Sequence, residues 1–288
     1  MRFTDKRIRL IECPRDAMQG WPHFIPTEKK ISYINALLKA GFDTIDFGSF
    51  VSPKAIPQMA DTVEVLKGLE LKNSRSKLLA IVANLRGATE AVVFDEITYL
   101  GFPFSISETF QQRNTNSSML TSFDTVSEIH NLCIKNQKQL VVYISMGFGN
   151  PYGDEYNESI VLHWVEKMTE LDIKIISLAD TVGLAKPEQV TSVLNKIIPA
   201  FPETEIGVHL HSAPHNRTEK LSAALNAGCR RFDSAVKGIG GCPMAGDDLV
   251  GNMDTEVMIS YFKDRGLTMV LDAEQLSKCN QLASEIFI

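Results

Sequence analysis

Residues 205–238 read EIGVHLHSAPHNRTEKLSAALNAGCRRFDSAVKG, and this stretch decides the fold. In its first run, 205–212, Val208 and Leu210 alternate with His209 and His211, the two-residue period of a strand. Residues 219–227 follow with helical character and stop at Gly228, which can take the left-handed backbone that ends helices. A second apolar run, 230–238, completes a strand–helix–strand unit, the building block of a parallel sheet.

The same unit recurs on both sides. Runs rich in Ile, Val and Phe occupy 8–13, 44–51, 77–84, 97–106, 140–147, 173–180, 205–212 and 230–238. Between them, 27–40, 119–137, 159–171, 187–198 and 219–227 read as helices. Ile31, Ile34, Leu37 and Leu38 share one face, as do Ile160, Trp164, Met168 and Leu171. Gly41 closes the first helix, and Pro187 sits where a helix begins. Eight evenly spaced units predict a single (β/α)8 TIM-barrel domain over 1–288, with 272–288 as an outer helical tail. An open doubly wound sheet is the competing arrangement.

The bulk properties fit a globular enzyme of 288 residues. A net charge of −6, from 29 basic and 35 acidic residues, argues against nucleic-acid binding. Cys13, Cys133, Cys229, Cys242 and Cys279 form no CxxC pair, which points to a reducing, cytoplasmic setting rather than a disulfide framework. No apolar stretch is long enough to span a membrane, and the first residues lack a signal-peptide core.

In such barrels the chemistry sits where strands end. His209 and His211 point the same way from their strand and form half of a metal site, or else a pair of core histidines. After the first run, Cys13-Pro14-Arg15-Asp16 offers an anionic ligand and a permanent cation suited to an oxyanion, or a surface ion pair. The segment 238–246 holds Gly238, Gly240, Gly241 and Gly246 around Cys242, a flexible setting for an acid–base thiol, or a turn whose cysteine packs. Asn252 offers a carbonyl ligand or a cap for a helix starting near Asp254. Asp46 and Asp180 bring carboxylates to the second and sixth strand ends; Asp180-Thr181 could equally cap the next helix.

These blocks resemble those of the 3-hydroxy-3-methylglutaryl-CoA lyases, in the metal-dependent Claisen-type lyase and synthase superfamily of TIM barrels. The resemblance rests on Pro14-Arg15-Asp16 with Gln19; Ser49-Phe50-Val51-Ser52-Pro53-Lys54 with Pro57-Gln58-Met59 and Asp61; Ser177 to Gly183; and Gly240-Gly241-Cys242-Pro243. It runs from about Ile8 to Glu256. It implies cleavage of hydroxymethylglutaryl-CoA to acetoacetate and acetyl-CoA, as in leucine degradation, by an enzyme that is a homodimer. It further implies a divalent ion, Mg²⁺ or Mn²⁺ with Zn²⁺ or Co²⁺ as alternatives, on Asp16, His209, His211 and Asn252. Arg15 would steady the enolate oxygen and Cys242 would transfer a proton. Gln19, Asp46, Ser49, Asp180 and Thr181 would complete the substrate pocket. Three positions depart from the family pattern. Ser212 stands where an acid usually follows the second histidine, Ala17-Met18 replace Gly and Leu, and Asp46 replaces Glu. A synthase of the same superfamily and a non-catalytic metal- or CoA-binding barrel are the rival expectations.

Overall fold

The computed structural model describes residues 6–241 and 250–288. Eight parallel strands close into a barrel in chain order. They are β1 (Arg9–Glu12), β2 (Thr44–Ser49), β3 (Lys77–Ile81), β4 (Ile97–Ser105), β5 (Gln139–Ser145), β6 (Ile175–Asp180), β7 (Glu205–Leu210) and β8 (Arg231–Ser234). The last closes on the first, with Ile11 opposite Asp233 and Glu12 opposite Ser234. The helices are α1 (Pro14–Gln19), α2 (Thr27–Ala40), α3 (Thr62–Lys67), α4 (Leu85–Ala91), α5 (Glu108–Thr115), α6 (Met119–Lys135), α7 (Glu158–Glu170), α8 (Pro187–Ala200), α9 (Arg217–Asn226), α10 (Thr255–Asp264) and α11 (Ala273–Ile286).

Strand alternation sorts the apolar residues into two cores. Outward-facing Ile45, Phe47, Leu78, Ala80, Val142, Ile144, Val208 and Leu210 pack beneath the helices. Inward-facing Leu79, Ile81, Tyr99, Val141, Tyr143 and Ile175 fill the barrel itself. Helix α2 shows how the sequence builds the outer layer. Tyr33, Ile34, Leu37 and Leu38 recur at helical spacing and are all buried. Gly41 then ends the helix at φ 85°, its N–H bonded to the Leu37 carbonyl. The C-terminal helix α11 lies against α2, with Phe287 edge-on to Trp21 and Tyr33. Among the described residues no helix is long and apolar enough to cross a membrane.

Glu12 is the outward-facing residue at the end of β1, and it is fully buried. Its carboxyl accepts hydrogen bonds from the Val236 N–H at 2.8 Å and the Thr255 hydroxyl at 2.7 Å, so it fastens β1 to the chain on either side of 237–254. Burial drives its pKa from 4.5 up to about 8, against the pull of those two donors. The carboxyl is therefore neutral in the fold over a range where the unfolded chain has it ionised. The stability it contributes is complete below 4.5 and is lost as pH rises through about 8. Glu12→Gln is expected to flatten this loss: wild type falls behind the variant in Tm between about pH 5 and pH 9. Melting curves by circular dichroism at several pH values check this, and parallel wild-type and variant trends would contradict it.

Candidate active site

The C-terminal ends of the strands surround a cavity of about 430 Å³, lined among others by Arg15, Asp16, Ser49, Thr181, His209 and His211. Its size is that of a small-molecule site. Arg15 and Asp16 reach it from α1. The sequence alone reads this segment as a strand end, whereas the structure makes it a six-residue helix. Pro14 starts the helix with its φ already suitable, directly beyond β1. The two adjacent side chains are thereby carried over the barrel mouth.

His209 and His211 both face inward from the β7 end, with ring centroids 5.2 Å apart, while Val208 and Leu210 face the helices. Each imidazole is held by its Nδ1. That of His211 lies 2.7 Å from the Val250 carbonyl, and that of His209 lies 3.1 Å from the Asp233 carboxylate. A carbonyl only accepts, so His211 Nδ1 carries its proton and Nε2 keeps a lone pair. The Asp233 contact favours the same tautomer in His209. One oxygen of Asp16 and one nitrogen from each histidine lie within 4.8 Å of one another. Two neutral imidazoles and a carboxylate, oriented by backbone and carboxylate partners, make a donor set that fits a divalent ion. Cys13, His209 and Asp233 are equally close together, but Cys13 and Asp233 do not line the cavity. His209 Nδ1 is also already engaged with Asp233.

Arg15 is gripped from two sides. Its Nε and Nη2 bond Asp46, the shortest contact being 2.6 Å, and its Nη1 bonds Asp16 at 3.1 Å. The guanidinium is thus fixed in position while still bordering the cavity. Burial tends to raise Asp16, but Arg15 and the two histidines outweigh it and hold the carboxyl near about 2. Burial dominates at Asp46, pushing it up to about 6 against the pull of Arg15. Burial also acts to lower His209, yet the Asp233 hydrogen bond and charge leave its pKa raised. His211 is lowered, first by burial and then by His209.

The remaining sequence-singled residues divide. Gln19 donates to Asp16 at 2.8 Å, and both Gln19 and Ser49 line the cavity. The amide nitrogen of Asn252 bonds Asp16 at 2.7 Å and the Ile239 carbonyl at 2.9 Å, which leaves only its carbonyl oxygen able to act as a ligand. The cap of α10 is Asp254, not Asn252. Gly240 has φ 119°, and a Cβ there would run into the Asn252 amide, so glycine lets the backbone pass over that side chain. Thr181 lines the cavity and accepts from the Met146 N–H. Asp180 does not line it. It turns outward, where Lys220 and the Ala185 N–H occupy its carboxylate. Cys242 lies outside the described residues.

Sequence reasoning passed over Asp233 and Lys220, both buried. Asp233 had a usable signal. Arg231-Phe232-Asp233 repeats the polar–apolar–polar alternation of His209-Leu210-His211 in the neighbouring strand. Ser212, the departure after the second histidine, is buried and hydrogen-bonds Met253, with the Arg217 Nε at 3.4 Å.

The HMGL-like family profile matches residues 8–283. The chain belongs to the HMGL-like family. Among its HMGL-like relatives, the hydroxymethylglutaryl-CoA lyase of Bacillus subtilis is 32% identical over 275 residues, covering 94% of this chain and 90% of that protein. The human mitochondrial hydroxymethylglutaryl-CoA lyase is 31% identical over 279 residues, covering 96% and 84%. A solved HMG-CoA lyase from Acinetobacter baumannii, in complex with coenzyme A and 3-methylmalate, superposes with a TM-score of 0.91. It is 32% identical, and the match covers 100% of this chain and 93% of that one.

Proposed function

We propose that this protein is a divalent-metal-dependent lyase that cleaves hydroxymethylglutaryl-CoA to acetoacetate and acetyl-CoA. The observation that carries the reading is the convergence of Asp16, His209 and His211 beside a fixed Arg15 at one cavity of an HMGL-like chain. Asp16, His209 and His211, joined by the Asn252 carbonyl oxygen, would hold the ion, with Mg²⁺ or Mn²⁺ suited to the oxygen share of that set. A divalent ion there supplies Lewis acidity that eases removal of the proton from the substrate's tertiary hydroxyl.

This chain's residues do the rest. As the hydroxyl becomes a ketone, the adjacent carbon–carbon bond breaks and its electrons move onto the thioester, giving the enolate of acetyl-CoA. Arg15 stabilises the oxygen on which that charge develops; because Asp46 and Asp16 hold the guanidinium beforehand, little reorganisation opposes it. One proton then has to reach the enolate carbon, and Cys242 is assigned that transfer. The other four cysteines favour this assignment. All are buried, and burial pushes the thiols of Cys133, Cys229 and Cys279 up to about 12. Cys242→Ala is expected to lower kcat by about 100-fold or more as lost acid–base catalysis. Substrate is expected to protect the thiol from alkylation. A variant turning over at the wild-type rate would reassign the proton donor. Gln19, Ser49 and Thr181 complete the pocket, and the form proposed is a cytoplasmic homodimer of one catalytic domain.

Product analysis tests the reading. Acetoacetate and acetyl-CoA are expected in equal amounts from hydroxymethylglutaryl-CoA, and no free thiol is expected from acetyl-CoA mixed with a 2-oxo acid. Thiol release without cleavage would favour a synthase.

A further inference from the structure

We infer that Lys220 is a positioning residue for the metal centre, holding His211 through its backbone. The inference rests on the reading above that His211 is a ligand.

Lys220 projects from α9 and is 1% exposed, an unusual place for an ammonium unless every proton is used. Its Nζ donates to the Asp180 carboxylate at 2.7 Å, the His211 carbonyl at 2.8 Å and the Gly183 carbonyl at 3.0 Å. Three donors meet three acceptors. Those acceptors belong to the end of β6, the chain beyond it, and the residue just after β7. Asp180 also accepts the Ala185 N–H, so the ammonium is anchored on a rigid turn.

The clamp reaches the ligand set from two directions. It fixes the carbonyl of His211 directly. It also fixes Gly183, whose α-carbon stands against the Val250 side chain; a Cβ there would come within 2.8 Å of it. Val250 supplies the carbonyl that orients the His211 ring. Ser212 N–H bonds the Gly251 carbonyl, and His211 pairs with Asn252 across an antiparallel bridge. One ammonium thus braces the backbone and the ring partner of the same histidine without touching the cavity. Outer contacts of this kind typically govern metal affinity by 10–100-fold.

The experiment measures Mg²⁺ or Mn²⁺ affinity by calorimetry on stripped protein, alongside Tm. Lys220→Met is expected to weaken binding by about 10-fold or more and to lower Tm, because it strands the Asp180 charge. Asp180→Asn combined with Lys220→Met removes that charge, so Tm is expected to recover while affinity stays low. A purely structural lysine predicts that both recover together, and wild-type affinity in the double variant overturns the inference. Should the double variant not fold, Lys220→Gln is decided on the same criterion, with affinity equal to wild type again overturning it. Wild-type protein that binds no divalent ion overturns the metal reading as well, which separates the two failures.

Discussion

Asp16→Asn is expected to abolish turnover of hydroxymethylglutaryl-CoA and to remove high-affinity divalent-ion binding, with little loss of fold. The change keeps the side chain's size and one of its two acceptor oxygens, which can go on meeting the buried Asn252 amide, while the Gln19 amide at the pocket edge has only to turn over, so packing at the barrel mouth survives. What disappears is the only carboxylate among the described residues that shares a ligand cluster with both histidines. Two neutral imidazoles and two uncharged amide oxygens are left, a weak set for a hard cation. The site also favours the ionised form of Asp16, whose pKa Arg15 and the histidines hold at about 2 against the effect of burial. His209→Ala should be as inactive, but it strands Asp233 and will report partly on stability. Activity within a few-fold of wild type in Asp16→Asn would remove Asp16 from the metal site.

Arg15→Gln is expected to lower kcat by about 100-fold or more, with a smaller change in KM, because its contribution grows as negative charge develops. Arg15→Lys should fail as well. The guanidinium reaches Asp46 through Nε and Nη2 and Asp16 through Nη1 at once, and a single ammonium cannot reproduce that fork. Either change leaves Asp46 buried with its main partner altered, so part of any stability loss belongs to that carboxylate. The double change Arg15→Gln with Asp46→Asn separates the two effects: stability should recover and kcat should not. A loss confined to KM would mean that Arg15 only binds substrate.

Much of this was legible in the sequence. All eight runs correspond to strands, because each carries apolar residues on the face that packs beneath the helices, as Leu10, Ile45, Leu100, Val208 and Phe232 do. Helices such as α2 carry enough turns for their buried stripe to be visible. Segment 14–19 did not read as a helix, since six residues give no period to detect and Pro14 is equally at home in a turn. The inward pair His209 and His211 was readable from alternation and from its polarity within an apolar run. Asp180 was read as part of the pocket, but its parity puts it opposite Ala179, on the face that meets α9. Alternation says which residues share a face; it does not say which face is the lumen. Lys220 was hidden for a different reason. A lysine in a helix whose polar face meets water is the ordinary case, and only the tertiary packing of α9 against the β6 and β7 ends removes it from solvent.

The central claim is that this site cleaves hydroxymethylglutaryl-CoA with the help of a divalent ion. Acetoacetate release, measured on the same protein before chelation, after exhaustive chelation and after Mg²⁺ or Mn²⁺ is returned, tests it most directly. The account predicts activity, loss and recovery in that order. Full acetoacetate release from the chelated protein would contradict it.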